Sequence, residues 1–274
     1  MLTTRRRTST FRQRYPSVKI ATYNVNGVNG RLPVLLRWLE KDRPDIACLQ
    51  ELKCPDERFP EGAIAKAGYR AIWKGQQRWN GVAILSRVGE PIELRRALPN
   101  DPDPSQARYL EAAVNGVLVA GFYAPNGNPQ PGPRFDYKMG WLRDFQQHAE
   151  RLFAADAPVV LIGDYNIIPT PSDVYKPERW LDDALFAPEA RALYADMLKA
   201  GWTDALVKLF PKKPPYTFWK YWRGSFERDA GLRIDHALLN RQAAKKLKRG
   251  GVDRETRSWE GTSDHAPVWI ELKD

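Results

Sequence analysis

The apolar run Val159-Val160-Leu161-Ile162 leads directly into Gly163-Asp164-Tyr165-Asn166. A strand that ends in a carboxylate and a carboxamide carries both side chains at the rim of a sheet. At such a rim a carboxylate activates water and a metal ion holds a phosphate. Asp and Asn also close strands as ordinary Asx turns, so this segment alone decides nothing. The same arrangement, an apolar strand followed at once by Asn, Asp, Glu or His, recurs along the chain. It is found in Tyr23-Asn24-Val25-Asn26-Gly27, Leu49-Gln50-Glu51-Leu52-Lys53, Tyr123-Ala124-Pro125-Asn126-Gly127, and in Arg233-Ile234-Asp235-His236 with Ser263-Asp264-His265. Asp235 stands within an apolar strand, where a carboxylate needs a cation or several donors beside it.

Phosphodiester hydrolysis uses all of these groups together. A hard cation such as Mg²⁺ takes oxygen ligands and keeps some of its waters, so one or two carboxylates hold it. The cation neutralises a non-bridging oxygen and assists the leaving alkoxide. A second carboxylate takes a proton from the attacking water, while amides and an imidazolium hold the phosphate and its growing charge. A histidine in that role needs a carboxylate to orient it and raise its pKa. Of the three histidines, His148 falls on an amphipathic helix, where a structural role is expected. His236 follows Asp235 and is expected to face the opposite side of its strand. That leaves His265 for the chemistry.

The elements that position these groups can be read from periodicity. Strands are expected over 18–25, 46–50, 81–85, 117–123, 159–162, 233–239 and 266–272. A helix over 33–41 carries Leu35, Leu36 and Leu39 on one face and is stopped by Pro44. A second, from about 137 to 153, carries Trp141, Phe145, Ala149 and Leu152 on one stripe. The 22 prolines cluster in 99–104, 125–133, 169–177 and 211–215, and stiff loops at strand ends shape substrate sites. Strands in consecutive groups argue for packed mixed sheets with helices outside rather than simple βαβ winding. One domain over 18–274 is expected, preceded by a basic extension over 1–17 that reads as a disordered arm.

Composition narrows the partners. No apolar stretch approaches the ~20 residues of a membrane span, and the N-terminal run lacks the roughly 7–15-residue apolar segment of a secretory signal. Cys48 and Cys54 are too few for a disulfide framework or a zinc site, and a reducing cytoplasm suits them. Cys48, inside an apolar strand, is expected to be a buried small hydrophobe. The 43 Lys and Arg exceed the 33 Asp and Glu, for a net charge of +10. The excess gathers in residues 1–19, in Arg241 to Arg249, and in Lys208 to Arg223. In the last of these the cations alternate with Phe210, Tyr216, Phe218, Trp219, Tyr221 and Trp222. Cations that take phosphates and rings that stack or wedge suit a nucleic-acid surface.

Seven motifs, in order, closely resemble the signatures of the exonuclease III-type apurinic/apyrimidinic (AP) endonucleases, within the endonuclease/exonuclease/phosphatase superfamily. They are Tyr-Asn-Val-Asn-Gly, Leu-Gln-Glu, Tyr-x-Pro-Asn-Gly, Gly-Asp-x-Asn-Ile, Tyr-Thr-Phe-Trp, Gly-Leu-Arg-Ile-Asp and Ser-Asp-His-x-Pro, and the match spans about residues 18–272. The resemblance implies a four-layered αββα sandwich of the DNase I-like kind, two mixed sheets face to face with helices outside. It also implies cleavage of duplex DNA 5′ of abasic sites with Mg²⁺ (or Mn²⁺), together with 3′→5′ exonuclease and 3′-end-cleaning activity; separately, a monomer is expected. By the same resemblance Glu51, with Asn24 near it and Asp264 close by, holds the metal. Asp164 activates the water, and Asn166 holds the phosphate. His265, oriented by Asp235, and Tyr123 also contact the phosphate, Tyr123 assisting the leaving group. Lys53 and Asn126 face the DNA. Phe218 and Trp219 wall the abasic pocket, and Trp222 wedges into the minor groove. The alternatives are a less specific nuclease or phosphodiesterase of the superfamily, or a DNA-binding scaffold without catalysis. Several relatives of the first kind place a second catalytic His where this chain has Tyr123. The scaffold would be expected to lack a metal ligand or the water-activating carboxylate, yet Glu51, Asp164, Asn166 and His265 are all present.

Overall fold

The computed structural model describes residues 17–273. The extension expected over 1–17 lies outside the described residues except for Ser17, which is already paired with Lys273 in the first strand. In chain order the strands are β1 (Ser17–Asn24), β2 (Ile46–Gln50), β3 (Arg70–Lys74), β4 (Val82–Ser86), β5 (Ile92–Arg95) and β6 (Tyr109–Val114). There follow β7 (Val117–Tyr123), β8 (Val159–Asp164), β9 (Thr203–Asp204), β10 (Asp235–Leu239), β11 (Leu247–Val252) and β12 (Val268–Lys273). The helices are α1 (Leu32–Asp42), α2 (Glu61–Lys66), α3 (Pro133–Phe153), α4 (Pro188–Lys199), α5 (Ala205–Leu209) and α6 (Arg241–Lys246). Helix α3 begins four residues before the expected start, because Pro133 opens it; proline's fixed φ and missing N–H suit a first turn. Among the described residues no helix is long and apolar enough to cross a membrane.

Two six-stranded sheets form, in the orders β11-β12-β1-β2-β4-β3 and β5-β6-β7-β8-β10-β9. Both are mixed: β1 and β2 run parallel, as do β7 and β8, and the remaining pairs are antiparallel. Strand alternation explains the layering. Ile20, Cys48, Val160 and Ile162 point between the sheets and meet Ile84, Ala237 and Ile270 there. Their neighbours Ala21, Ala47 and Leu49 point outward, under Leu35, Trp38 and Leu39 of α1 and Ile64 of α2. On the other side Phe122, Val159 and Leu161 point outward under Trp141, Phe145, Tyr194 and Met197 of α3 and α4. Three apolar layers between four layers of structure are the expected αββα sandwich. Cys48 is buried and free, and burial raises its thiol pKa.

Part of the basic excess is structural. Lys248 and Arg249, on β11, pair with Glu271 of β12 at 3.0 and 2.5 Å. His148, as expected, is a packing residue; its Nε2 lies 2.8 Å from Glu111 beneath α3. His236 faces away from Asp235. Its Nδ1 meets Arg233 at 2.9 Å and its Nε2 meets the Ile167 carbonyl at 2.9 Å. Arg233 in turn bonds Asp173 and Asp204, each at 2.7 Å, so a buried network ties the loop after β8 to the strand carrying Asp235. Burial first, and the Arg233 charge second, lower the His236 pKa from 6.5 to about 4. The unfolded chain therefore takes up this proton near pH 6.5 and the folded chain only near 4. Folding stability is expected to fall as pH drops across that interval, by up to about 3 kcal/mol. Urea unfolding at pH 7 and pH 4.5 measures the slope, and His236→Gln is expected to flatten it.

Candidate active site

Parallel pairing brings the C-terminal ends of β1 and β2 to one rim of the first sheet, and those of β7 and β8 to the matching rim of the second. Asn24 pairs with Gln50, next to Glu51, and Tyr123 pairs with Asp164. Asp235, opening the antiparallel strand β10, lies opposite Asp164. Gly163 is required just before Asp164, since a Cβ there would sit 2.1 Å from the Phe122 carbonyl oxygen.

The side chains join across the two sheets. One amide, Asn24 Nδ2, donates to Glu51 Oε1 at 2.9 Å and to Asp164 Oδ2 at 3.0 Å. The other Asp164 oxygen accepts from the Asn166 backbone N–H at 2.9 Å. Burial, then the neighbouring Asp235 charge, raise the Asp164 pKa above the usual carboxylate range. Such a carboxylate is more basic than one in water. His265 approaches from the loop before β12, with Nδ1 2.9 Å from Asp235 Oδ2 and Nε2 3.8 Å from Asp164 Oδ2. Burial opposes charging of this ring, but Asp235 and Asp164 outweigh it and raise the pKa to about 10. His265 is thus an imidazolium at neutral pH. The phenol of Tyr123 is kept neutral, its pKa raised by burial and by the charges of Glu51 and Asp164.

Glu51 remains ionised. Burial works against its charge, and Lys53 and the Asn24 amide more than compensate, so its pKa is lowered. Lys53 Nζ lies 2.7 Å from Glu51 Oε2 and donates to Asn26 Oδ1 at 2.6 Å. Asn26 Nδ2 reaches Asp264 Oδ1 at 3.1 Å. This edge therefore presents oxygens from two carboxylates and two amides, a hard donor set suited to Mg²⁺, and an ammonium already stands among them as a stand-in cation. Asp164, Asp235 and His265 also bring potential ligand atoms within 4.8 Å of one another. The imidazolium has no lone pair to offer, however, which favours the Glu51 edge. Four residues here, Asn26, Glu51, Lys53 and Asn166, hold positive φ between 48° and 53°. Asn tolerates that conformation. For Glu and Lys it is strained, and such strain gathers at functional sites.

The expected residues thus converge, with one correction. Trp219 is 1% exposed, its Nε1 donates to Asp229, and Phe226 and Arg254 pack on it. It stiffens the 219–229 loop from within and is no wall of a surface pocket. Phe218 does line the site, its ring 4.9 Å from that of His265. Trp222 is 59% exposed on the same loop, and Asn126 is exposed beside Asn166, to which its Nδ2 donates at 3.3 Å. Sequence reasoning missed Thr217, whose buried hydroxyl donates to Asp235 Oδ2 at 2.6 Å. It also missed Arg108, which stacks over the Tyr123 ring at 5.1 Å, the exposed ring of Trp79, and Lys138. The Tyr-Thr-Phe-Trp motif contained the first; the others carried no local signal.

Comparison with known proteins agrees with this fold. The family model described as the endonuclease/exonuclease/phosphatase family matches residues 21–265. Exodeoxyribonuclease III of Haemophilus influenzae is 33% identical over 268 residues, covering 93% of this chain and all of that protein. The structure of a 3′-5′ exonuclease (NExo) from Neisseria meningitidis is similar with a TM-score of 0.90 and 39% identity, over 94% of this chain and 100% of that one. An AP endonuclease from Archaeoglobus fulgidus is similar with a TM-score of 0.88 and 33% identity, over 94% and 99%. Matched over more than nine-tenths of its length, the chain belongs to the endonuclease/exonuclease/phosphatase family, among the exonuclease III-type AP endonucleases, and is a hydrolase of phosphodiester bonds.

Proposed function

We propose that this protein is a Mg²⁺-dependent repair nuclease that acts on double-stranded DNA, cutting 5′ of abasic sites and clearing blocked 3′ ends. The observation that carries the reading is the pairing of opposite roles at one point. Asp164, a carboxylate of raised basicity, faces His265, which the Asp235 and Asp164 charges hold protonated at neutral pH, at 3.8 Å. A phosphate set against both of them, on their open side, meets a base for the attacking water and a cation for its own charge. The Asn24 and Asn166 N–H groups fix the Asp164 carboxylate, so its basic oxygen is aimed before substrate arrives. Asn166 and Asn126 offer amides to the phosphate, and the neutral phenol of Tyr123 has a proton to give the leaving oxygen. Glu51 and Asp264, with Asn24 and Asn26 alongside, would hold Mg²⁺, which supplies charge neutralisation for a non-bridging oxygen and the departing alkoxide. An abasic sugar has lost its stacking and pairing and swings out of the helix at low cost, and Phe218 provides an apolar face beside His265 for it.

The 3′-end activity has its own support. A second structure of the Neisseria protein, described as a 3′ phosphatase bound to product DNA hairpin, is 38% identical with a TM-score of 0.90. A reducing cytoplasm is the setting that fits two free, buried cysteines.

The test is incision of a labelled duplex carrying one tetrahydrofuran abasic analogue, beside an intact duplex and one ending in a 3′-phosphate. Cutting 5′ of the lesion and release of phosphate, both abolished by EDTA and restored by Mg²⁺, are expected. Equal internal cutting of the intact duplex would make it a general nuclease, and tight binding without cutting would make it a scaffold. Trp222→Ala is expected to weaken duplex binding by roughly 5–100-fold, the scale of one lost stacking or wedging ring, with an unchanged Tm. Fluorescence anisotropy and a thermal melt check both.

A further inference from the structure

Helix α3 lays its apolar stripe on the second sheet, yet one fully buried position in it is a lysine. Lys138 is 0% exposed. Its Nζ donates to three backbone carbonyls: Asn166 at 2.6 Å, Ala184 at 2.9 Å and Asn126 at 3.0 Å. Three acceptors call for three N–H donors, which only the ammonium form carries. A buried charge is costly unless fully bonded, so its presence beneath three loops calls for a reason.

The loops are those that follow β7 and β8, together with the segment before α4. The first two bear Asn126 and Asn166, whose side-chain amides touch each other at 3.3 Å. Asn166 holds φ 49°, a conformation that its tethered carbonyl helps to keep. Its Nδ2 also donates to the Ala124 carbonyl, and Asn128 Oδ1 accepts from the Ala184 N–H, so the three loops form one bonded unit around the ammonium. The lysine stem reaches this point only because residue 127 is glycine. With φ +90°, a Cβ there would lie 2.6 Å from Lys138 Cδ.

We propose that Lys138 is a positioning residue for the reaction: never touching substrate, it locks the carbonyls of Asn126 and Asn166 so that both amides face the scissile phosphate. The inference rests on the functional reading above. A displacement of about 1 Å at a reacting group costs on the order of 100-fold in rate. Lys138→Met keeps the length and apolar stem and removes the three donors. It is expected to lower kcat about 100-fold on the tetrahydrofuran duplex, with KM within about 3-fold of the parent.

The decisive measurement is a double-mutant cycle in which Asn126→Ala and Asn166→Ala are made together as one arm, read by single-turnover cleavage and with the folded fraction fixed by near-UV circular dichroism. If Lys138 acts through these two amides, adding Lys138→Met to the Asn126→Ala/Asn166→Ala protein slows cleavage by no more than about 3-fold. A full further 100-fold loss, or a Lys138→Met protein with parental kcat, overturns the proposal. Should Lys138→Met fail to fold, Lys138→Arg retains the charge with a broader head; it is expected to lower kcat with the same non-additivity, and parental kcat there also overturns the idea. Inactivity of the parent protein on every substrate would instead remove the functional reading itself.

Discussion

Asp164→Asn is expected to lower kcat by roughly 10³-fold while leaving the Kd for a tetrahydrofuran duplex within about 3-fold. The two side chains have the same shape, so β8 and the loop after it keep their path. What disappears is the basic oxygen. In the parent one oxygen is occupied by the Asn166 N–H and the other faces Asn24 and His265. An amide there takes no proton from water. Its loss of charge also relieves repulsion of the incoming phosphate, so binding is not expected to suffer. Single-turnover cleavage and anisotropy titrations in Ca²⁺ separate the two effects. Turnover within 10-fold of the parent would remove Asp164 as the base.

Asp235→Asn is expected to change the shape of the pH profile as well as the rate. In the parent, burial disfavours the charged ring of His265, and Asp235 and Asp164 together reverse that and raise its pKa to about 10. The imidazolium is therefore present across pH 6 to 9, and no loss of rate from this group is expected there. Without the Asp235 charge the burial penalty stands against Asp164 and, more weakly, Asp264, and the ring loses its proton at lower pH. The mutant rate is then expected to fall with rising pH between about 6 and 8, reaching a deficit of about 10²-fold at pH 8, the scale of one lost donor to a phosphate oxygen. Log kcat against pH from 5.5 to 9.5 shows the new limb. A mutant profile parallel to that of the parent would mean that Asp235 does not control the charge on His265.

The rim of this site was legible because each group stands at the end or the start of an apolar strand, and strand alternation shows which side chains share a face. Hence Asn24, Glu51, Asp164, Asp235 and His265 could be brought together from order alone, and His236 could be set on the far face. The less visible elements are those whose sequences contradict their burial. Strand β6 contains Glu111, which reads as surface until His148 and Tyr109 are seen to bond it. Strand β11 reads as a basic patch because Lys248 and Arg249 dominate it, and its pairing rests on Glu271 far along the chain. Strand β5 is exposed at every residue and carries no alternation. Trp219 misled, and Lys138 gave no local sign of its place. A lysine on a helix suggests solvent and is buried, while a ring in a basic loop suggests DNA and is buried too. The partners of Lys138 come from three distant loops and those of Trp219 from its own loop and Arg254, and local periodicity encodes neither.

Two hydrogen bonds at the rim, Asn24 to Asp164 and His265 to Asp235, each join one sheet to the other. The catalytic set is therefore divided, with the metal-side oxygens hung from one sheet and the base from its opposite number. Neither sheet carries a working half, and the distance between the halves is set by the apolar layer that fills the space between them. The methyl groups of Ile20, Ile162 and Ile270, out of reach of any nucleotide, act as shims that gauge the gap. Sequence drift in that layer is accordingly constrained by volume as much as by hydrophobicity, and changes of a single methylene there should register in turnover as well as in folding.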